Sequence, residues 1–186
     1  MHAPFDKIGR SAVGWGHRHR RSAIATLLIV YHSRTGGTEQ MAKAAAEAAR
    51  DADGADVVLK RAEDAGPDDL LAADGYLFAT PENLAAIAGV MKAFFDRSYY
   101  EVLGKIEGRP YAAMICAGSD GENARTQLER IATGWRLKKI ADTPIICTHA
   151  QTKEAILAKK QIPEDSLALC REIGATLAAG LEMGVF

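Results

Sequence analysis

The sequence predicts an α/β fold in which a doubly wound parallel sheet carries helices on both of its faces. Two observations support this prediction. From Thr26 onward, apolar runs of strand length alternate with segments of helical periodicity. Three of the apolar runs also end in loops rich in glycine or hydroxyl side chains, and each of these loops leads into a helix. Alternation of this kind requires crossover connections, which are right-handed in parallel sheets.

Five strands and five helices are expected after residue 25. The apolar runs predict strands near residues 26–31, 55–60, 75–80, 110–116 and 143–148. Helical periodicity predicts helices near residues 37–50, 67–73, 84–98, 121–136 and 164–182. Ligands of open α/β sheets bind at the carboxyl ends of the strands, so we expect the functional loops at that edge.

The loop after the first strand has the properties of a phosphate-binding loop. It reads Ser33-Arg34-Thr35-Gly36-Gly37-Thr38. The two glycines let the backbone approach an anion closely, and three hydroxyls stand beside the unpaired N–H groups that open the helix. The loop lacks the Gly-Lys-Ser/Thr ending of a triphosphate-binding loop and the three-glycine dinucleotide fingerprint, so a monophosphate is expected. Arg34 can pair with the phosphate or face solvent.

This loop resembles the phosphate loop of the flavodoxin-like superfamily. In that superfamily, the pattern Ser/Thr-x-Thr-Gly-x-Thr follows the first strand and binds the phosphate of FMN. The segment 33–38 matches every fixed position of the pattern. The resemblance implies a five-stranded sheet of order 2-1-3-4-5, with the ligand at the switch point between strands one and three.

A second loop resembles the branch of NADPH-dependent FMN reductases and quinone reductases. An apolar strand ends in Thr80-Pro81-Glu82-Asn83, and Pro81 ends strand pairing. In that branch, a Thr-Pro-Glu loop lies along the isoalloxazine ring and leads into a helix with the pattern Gly-x-x-Lys-x-x-x-Asp, which the segment 89–96 keeps. Asn83 stands where the branch usually has an aromatic residue, and Ala88 stands where a proline is common.

A third loop follows the strand predicted at 110–116. Its predicted cofactor-contacting residues are Cys116, Ala117, Gly118, Ser119 and Gly121. The glycines permit close backbone approach, and the polar atoms of the loop suit the edge of a ring. Any one of the three loops could be an ordinary strand-to-helix turn. Their occurrence after successive strands, in the order that the superfamily uses, favours a binding site.

The resemblance implies a flavoprotein in which bound FMN performs the chemistry, so no catalytic side chain is predicted. One function is an oxidoreductase that passes electrons from NAD(P)H, as a transient co-substrate, through FMN to a quinone, a flavin or another small acceptor. The alternative is a flavodoxin-type electron carrier between protein partners. Such carriers tend to be strongly acidic, for electrostatic steering. A third possibility is FMN binding for sensing or interaction alone.

Composition indicates one domain with an ordinary core. The chain has 186 residues, of which 48% are hydrophobic and 25% charged. No apolar run is long enough to span a bilayer. The three cysteines, Cys116, Cys147 and Cys170, lack metal-binding spacing, so we expect no metal site, free thiols and a cytoplasmic location.

Residues 1–25 differ from the domain predicted at 26–186. They carry a net charge of +4, which leaves −5 for the rest of the chain. We expect a basic, disordered extension, or a start codon assigned too far upstream of the domain. The alternatives are an anion-binding arm, a weak metal site formed by histidines, and a targeting segment. An apolar h-region is absent, so secretion is not expected.

No nucleic-acid partner is expected, whereas a homo-oligomer is. Reductases of the branch that the chain resembles often borrow active-site residues from a neighbouring subunit. Tyr99 and Tyr100 are candidates for such a contact, with core packing as the alternative. His149, just after the fifth predicted strand, is a candidate for contact with substrate, with a capping or surface role as the alternative.

Overall fold

The computed structural model describes residues 24–186. The basic segment predicted at 1–25 therefore lies almost wholly outside the described residues. No helix in the described part is long and apolar enough to cross a membrane.

Seven strands and six helices make up this part of the chain. The strands are β1 (Thr26–Tyr31), β2 (Asp56–Arg61), β3 (Gly75–Asn83), β4 (Ala86–Ile87), β5 (Pro110–Ala117), β6 (Lys138–Lys139) and β7 (Ile145–Cys147). The helices are α1 (Gly37–Asp51), α2 (Pro67–Ala72), α3 (Gly89–Val102), α4 (Glu122–Gly134), α5 (Lys153–Leu157) and α6 (Glu164–Met183).

The sheet is parallel along the path β2-β1-β3-β5-β6. Strand β1 lies between β2 and β3, so Leu27 pairs with Val57 on one side and with Gly75 on the other. The chain therefore reverses its direction of winding between β1 and β3. The ligand is predicted from the sequence to bind at this switch point.

Two separate cores show that helices cover both faces of the sheet. Alternate residues of a strand point to opposite faces. Leu28 and Phe78 pack with residues of α2, α3 and α4, such as Phe94. Ile29 and Leu77 belong to the other core, which contains buried residues of α1 and α6. The predicted α/β architecture, with helices on both faces of a parallel sheet, is confirmed.

The predicted strand count of five is wrong, and the predicted order 2-1-3-4-5 is not matched exactly, because β4 lies off the path β2-β1-β3-β5-β6 and two short strands follow beside β5. Both β6 and β7 pair with β5, on the edge of β5 that faces away from β3. The predicted strand at 143–148 is thus one of two short strands. Pro144 lies between them and has no N–H to continue a ladder, although its carbonyl accepts a hydrogen bond from the Ile115 amide at 2.9 Å.

The seventh strand comes from a hairpin that the sequence did not predict. Strand β3 continues through Asn83 and turns back into β4, which pairs with it antiparallel. The helix predicted at 84–98 therefore begins only at Gly89. Helix α5 was also missed, since five residues are too few to carry a helical periodicity.

Helices α1 and α6 pack closely because small residues face each other. Ala42, Ala45 and Ala49 of α1 are fully buried. A Cβ atom added to Gly174 of α6 would lie 2.0 Å from the carbonyl oxygen of Ala45. Since that contact is with backbone rather than with a flexible side chain, Gly174 sets the distance between the two helices.

We expect Gly174→Ala to lower the free energy of unfolding by about 2 kcal/mol or more, because the added methyl group overpacks the contact between the two helices. Gly134→Ala is the matched control, because a Cβ at Gly134 meets no atom within 4 Å among the described residues. The control should keep or slightly raise stability. Chemical denaturation measures both variants, and equal stabilities would contradict this account of the packing.

Candidate functional site

A cleft of about 590 Å³ lies at the carboxyl edge of the sheet. It is formed by the loops after β1, β3, β5 and β7, together with α5 and the residues after it. Its volume is in the range of small-molecule and cofactor sites. The residues that line it are Ser33, Arg34, Thr35, Gly37, Thr38, Pro81, Glu82, Asn83, Leu84, Cys116, Ala117, Gly118, Ser119, Thr148, Ala150, Ile156, Leu157 and Lys160.

The three predicted loops therefore meet at one cleft. All of the predicted site residues line it except Gly36, Thr80 and Gly121. The buried hydroxyl of Thr80 donates to the carbonyl of Pro81 and accepts from the amide of Ala88, so it stabilises the base of the hairpin. Gly36 and Gly121 both have φ of 87° at the starts of α1 and α4, and their role in the structure is to permit those turns.

The loop after β1 presents backbone N–H groups to the cleft. The hydroxyl oxygen of Ser33 accepts a hydrogen bond from the Gly36 amide at 3.1 Å and so closes the turn. Helix α1 begins at Gly37, and the amides of its first turn have no acceptor within the helix. These amides and the positive end of the helix dipole favour an anion. Arg34 is exposed at the edge of the same loop.

Arg61, at the end of β2, holds the start of this loop in place. Its guanidinium donates to the carbonyl of Ser33 and to the carboxylate of Glu63, each at 3.2 Å. Partial burial opposes ionisation of Glu63, but a backbone hydrogen bond and Arg61 keep the pKa of that carboxyl below its ordinary value. Arg61 therefore stabilises the loop although it does not itself line the cleft.

Cys116 closes the cleft beneath the start of α1. A Cβ atom added to Gly37 would lie 2.9 Å from the Cys116 sulfur, so only glycine lets the loop approach β5 this closely. Burial raises the pKa of the Cys116 thiol, although Thr38 and Lys160 act in the opposite direction. The thiol therefore forms a neutral, close-packed floor. Cys116, Cys147 and Cys170 are all free.

The β3–β4 hairpin forms a second wall of the cleft. Its turn residues Leu84 and Ala85 have φ of 52° and 59°, which is the left-handed region that favours glycine. The carboxylate of Glu82 accepts from the Ala85 amide at 2.8 Å. From α4, Asn123 donates to the carbonyl of Ala85, and Gln127 accepts from the amide of Ile87 at 2.9 Å. These contacts fix a turn that its own residues disfavour.

Helix α5 and the residues after it form a third wall, which is tied to the loop after β1. Lys160 donates its amide to the carbonyl of Thr35 at 2.8 Å. Its ammonium donates to the carbonyls of Ala155, Ile156 and Ala158 at 2.7 to 2.9 Å and so caps α5. Gln40 bridges both parts, because its amide nitrogen donates to the carbonyls of Gly36 and Lys160.

The sequence analysis missed this third wall. Its members in the cleft lining are Ile156, Leu157 and Lys160, and the loop after β7 adds Thr148 and Ala150, which were also missed. One local signal existed, since Thr152 is an N-cap whose hydroxyl accepts from the Ala155 amide at 3.2 Å. Leu84 was missed because it fell in a predicted helix. His149 is exposed and does not line the cleft, and neither do Tyr99 and Tyr100.

Comparisons with known proteins agree with this geometry. Residues 29–85 match the family described as flavodoxin, and residues 67–150 match the family described as NADPH-dependent FMN reductase. A flavodoxin from Aquifex aeolicus is 30% identical over 160 residues, which cover 83% of this chain and 86% of that protein. The chain belongs to the flavodoxin-like family. The predicted resemblance to this family of FMN-binding oxidoreductases, and to its FMN reductase branch, is confirmed.

Other relatives are more distant or match over less of their length. An NAD(P)H dehydrogenase (quinone) from Acidithiobacillus ferrooxidans is 35% identical over 95 residues, which cover 40% of this chain and 48% of that protein. The structure of an archaeal flavodoxin superimposes with a TM-score of 0.69 at 18% identity, covering 84% of this chain and 99% of that one. A WrbA-like flavodoxin protein from Agrobacterium tumefaciens gives 0.65 at 20% identity, with 86% and 98% covered. These two structures support the fold.

We expect Lys160→Met to loosen the third wall, because it removes three hydrogen bonds from a charged donor while keeping the aliphatic stem. The free energy of unfolding should fall by about 1 to 2 kcal/mol, and the amides of α5 should exchange faster with solvent. Lys159→Met is the control, since the Lys159 ammonium makes no hydrogen bond within residues 24–186. Unchanged exchange in the Lys160 variant would show that the ammonium does not hold α5.

Proposed function

We propose that this protein is an FMN-dependent oxidoreductase that accepts electrons from NAD(P)H and passes them to a quinone, a flavin or another small acceptor. One observation carries the proposal. The FMN reductase match at 67–150 spans both loops predicted to lie along the ring, and these loops line one cleft with the phosphate loop.

The residues of the cleft fit FMN. The monophosphate suits the first turn of α1, where the free amides and the hydroxyls of Thr35 and Thr38 offer donors around a glycine that leaves no side chain in the way. The ring suits the space between the hairpin and the loop 116–119, where Glu82 and Ser119 offer polar atoms for its edge. Among the described residues that line the cleft, the one carboxylate is that of Glu82 on the hairpin, so no lining carboxylate stands at the first turn of α1 to repel the phosphate.

When bound, FMN supplies hydride and electron transfer by its own chemistry. The protein's residues bind and orient it. Backbone amides and hydroxyls hold the phosphate, while the strained hairpin and the capped α5 fix the walls before any ligand arrives. Such preorganisation lowers the entropy lost on binding. Cys116 is neutral and packed under the loop, so it serves as a floor rather than as a nucleophile.

The alternative function is that of a flavodoxin-type carrier, and the 30% identity to a flavodoxin over most of the chain favours it. The charge of the residues that line the cleft favours the reductase. The described residues that line the cleft include Arg34 and Lys160 against Glu82, which is not the strongly acidic surround that steers a carrier to its partners.

The proposal includes a homo-oligomer in the cytoplasm. Tyr100, which is largely exposed at the end of α3, and the neighbouring exposed Leu103 offer an apolar surface for a second subunit. Light scattering of the purified protein tests the assembly, and a monomer at all concentrations would contradict it.

We expect NADPH or NADH, added without oxygen, to bleach the visible absorbance of the FMN-loaded protein in a two-electron reduction. Stopped-flow absorbance measures the rate of this reduction. Free FMN in solution is the control for direct reduction by the nucleotide without the protein. Bound flavin that stays oxidised with both nucleotides, yet is reduced by dithionite, would favour the carrier. A protein that binds no FMN would contradict both functions.

We expect Thr35→Val to weaken FMN binding by about tenfold, because a hydrogen bond to a charged group contributes about 1.5 kcal/mol or more. Riboflavin, which lacks the phosphate, should bind the variant as it binds the wild type. Thr148→Val, in the cleft lining after β7 rather than after β1, should affect the two ligands equally. Titration calorimetry measures all of these affinities, and an equal loss for FMN and riboflavin in Thr35→Val would place the phosphate elsewhere.

A further inference from the structure

Three large aliphatic side chains stand exposed at the cleft. Leu84, at the tip of the hairpin, is 101% exposed, while Ile156 and Leu157 of α5 are 52% and 57% exposed. Single exposed leucines are common on protein surfaces. Here, however, residues of two separate elements line one cleft with apolar groups. Such a surface suits an apolar ligand, which would cover it.

Aromatic side chains are missing from this surface. Among residues 24–186, no Phe, Tyr or Trp lines the cleft. Asn83, the position at which an aromatic residue would be expected, is followed directly by Leu84. A planar ring bound in this cleft would thus be contacted by aliphatic groups and by backbone.

The conformation of Leu84 argues that its position serves a function. A non-glycine residue in the left-handed region is strained, and two successive ones form the hairpin turn. Asn-Gly would form the same turn without that strain. Hydrogen bonds accepted by Glu82 and Gln127 and donated by Asn123 hold the turn against the strain. The surrounding hydrogen bonds therefore keep a bulky apolar side chain at a position where a small residue would make the turn more stable.

The position of α5 is equally fixed. Thr152 caps its first turn, and Lys160 caps its last turn through three carbonyls. The backbone bond from Lys160 to Thr35 ties the helix to the phosphate loop. Ile156 and Leu157 are consequently held beside the anion site, on an element separate from the hairpin.

We propose that Leu84, together with Ile156 and Leu157, forms the aliphatic contact surface for the isoalloxazine ring, in place of a stacking aromatic side chain. This inference rests on the proposed FMN site and adds the residues that contact its ring. Wild-type FMN binding tests the proposed site. The variants below test the contact surface, and they are interpreted only against that measured wild-type binding.

The first test is the fluorescence of bound FMN in Leu84→Trp. An excited flavin accepts an electron from an indole in van der Waals contact, so this variant should quench the fluorescence strongly relative to the wild-type complex. Met183→Trp is the control, because Met183 is an exposed apolar residue, 65% exposed, at the end of α6 and does not line the cleft. The control should leave the fluorescence unchanged. Equal fluorescence in the two tryptophan variants, with FMN bound to both, would overturn the contact of Leu84.

The second test separates the turn from the side chain. Ala85→Gly should raise the melting temperature of the cofactor-free protein by about 2 to 4 °C, since it relieves one strained residue, and it should keep FMN affinity. The double variant Leu84→Asn with Ala85→Gly should melt at least as high but bind FMN and riboflavin about tenfold more weakly, because the apolar contact is lost. Affinities that equal those of Ala85→Gly would overturn the proposal for Leu84.

The third test concerns α5. Leu157→Ser should weaken FMN and riboflavin by a similar factor, about tenfold, because the lost contact is with the ring common to both ligands. Leu169→Ser, at an exposed leucine that does not line the cleft, is the control for the loss of an exposed leucine. Circular dichroism of both variants reports whether α5 and the fold are kept. A folded Leu157→Ser protein with wild-type affinity for both ligands would overturn the role of that residue.

Discussion

The close approach of the first turn of α1 to β5 is the constraint on which the site depends. Gly37 lies against the Cys116 sulfur, where any other residue would place its Cβ at 2.9 Å from that atom. This contact brings the amides of the helix start to the carboxyl edge of the sheet, beside the loop 116–119. The anion end of the cleft and its floor are therefore fixed by one glycine and one buried thiol.

Interactions away from the cleft hold its walls. Arg61 supports the loop after β1, Gln127 of α4 supports the hairpin, and Gln40 joins the start of α1 to the segment after α5. Each of these side chains bonds to backbone atoms of a loop, as buried or strained backbone requires. Walls that are held in place before a ligand binds lower the entropy lost on binding.

The family contains proteins of two functional kinds, and this chain resembles both. Its identity to a flavodoxin extends over most of the chain, while its match to FMN reductases covers the loops after β3 and β5. The same fold can host either function, so the surroundings of the ring decide between them. In this protein the cleft has aliphatic residues in its lining, and the charged residues among them are of both signs.

The sequence by itself determined the α/β class, the strands β1, β3 and β5 with most of the longer helices, and the position of the glycine and hydroxyl loop after β1. Local patterns sufficed there, because the apolar runs of β1, β3 and β5 and the hydroxyl and glycine residues at 33–38 act within a few residues of one another. The binding of FMN by the predicted site residues stays a prediction, although most of them meet at one cleft. Gly36, Thr80 and Gly121 shape the loops without lining it.

Only the tertiary structure decided the rest. The chain turns back as a hairpin at Leu84 because Asn123 and Gln127, about forty residues later, supply partners for the backbone of Ala85 and Ile87. The split of the last strand at Pro144 depends on its pairing with β5. Helix α5 is placed by Lys160 and Thr35, which are 125 positions apart in the sequence. Contacts over such distances have no local periodicity, and so no pattern in the sequence could reveal them.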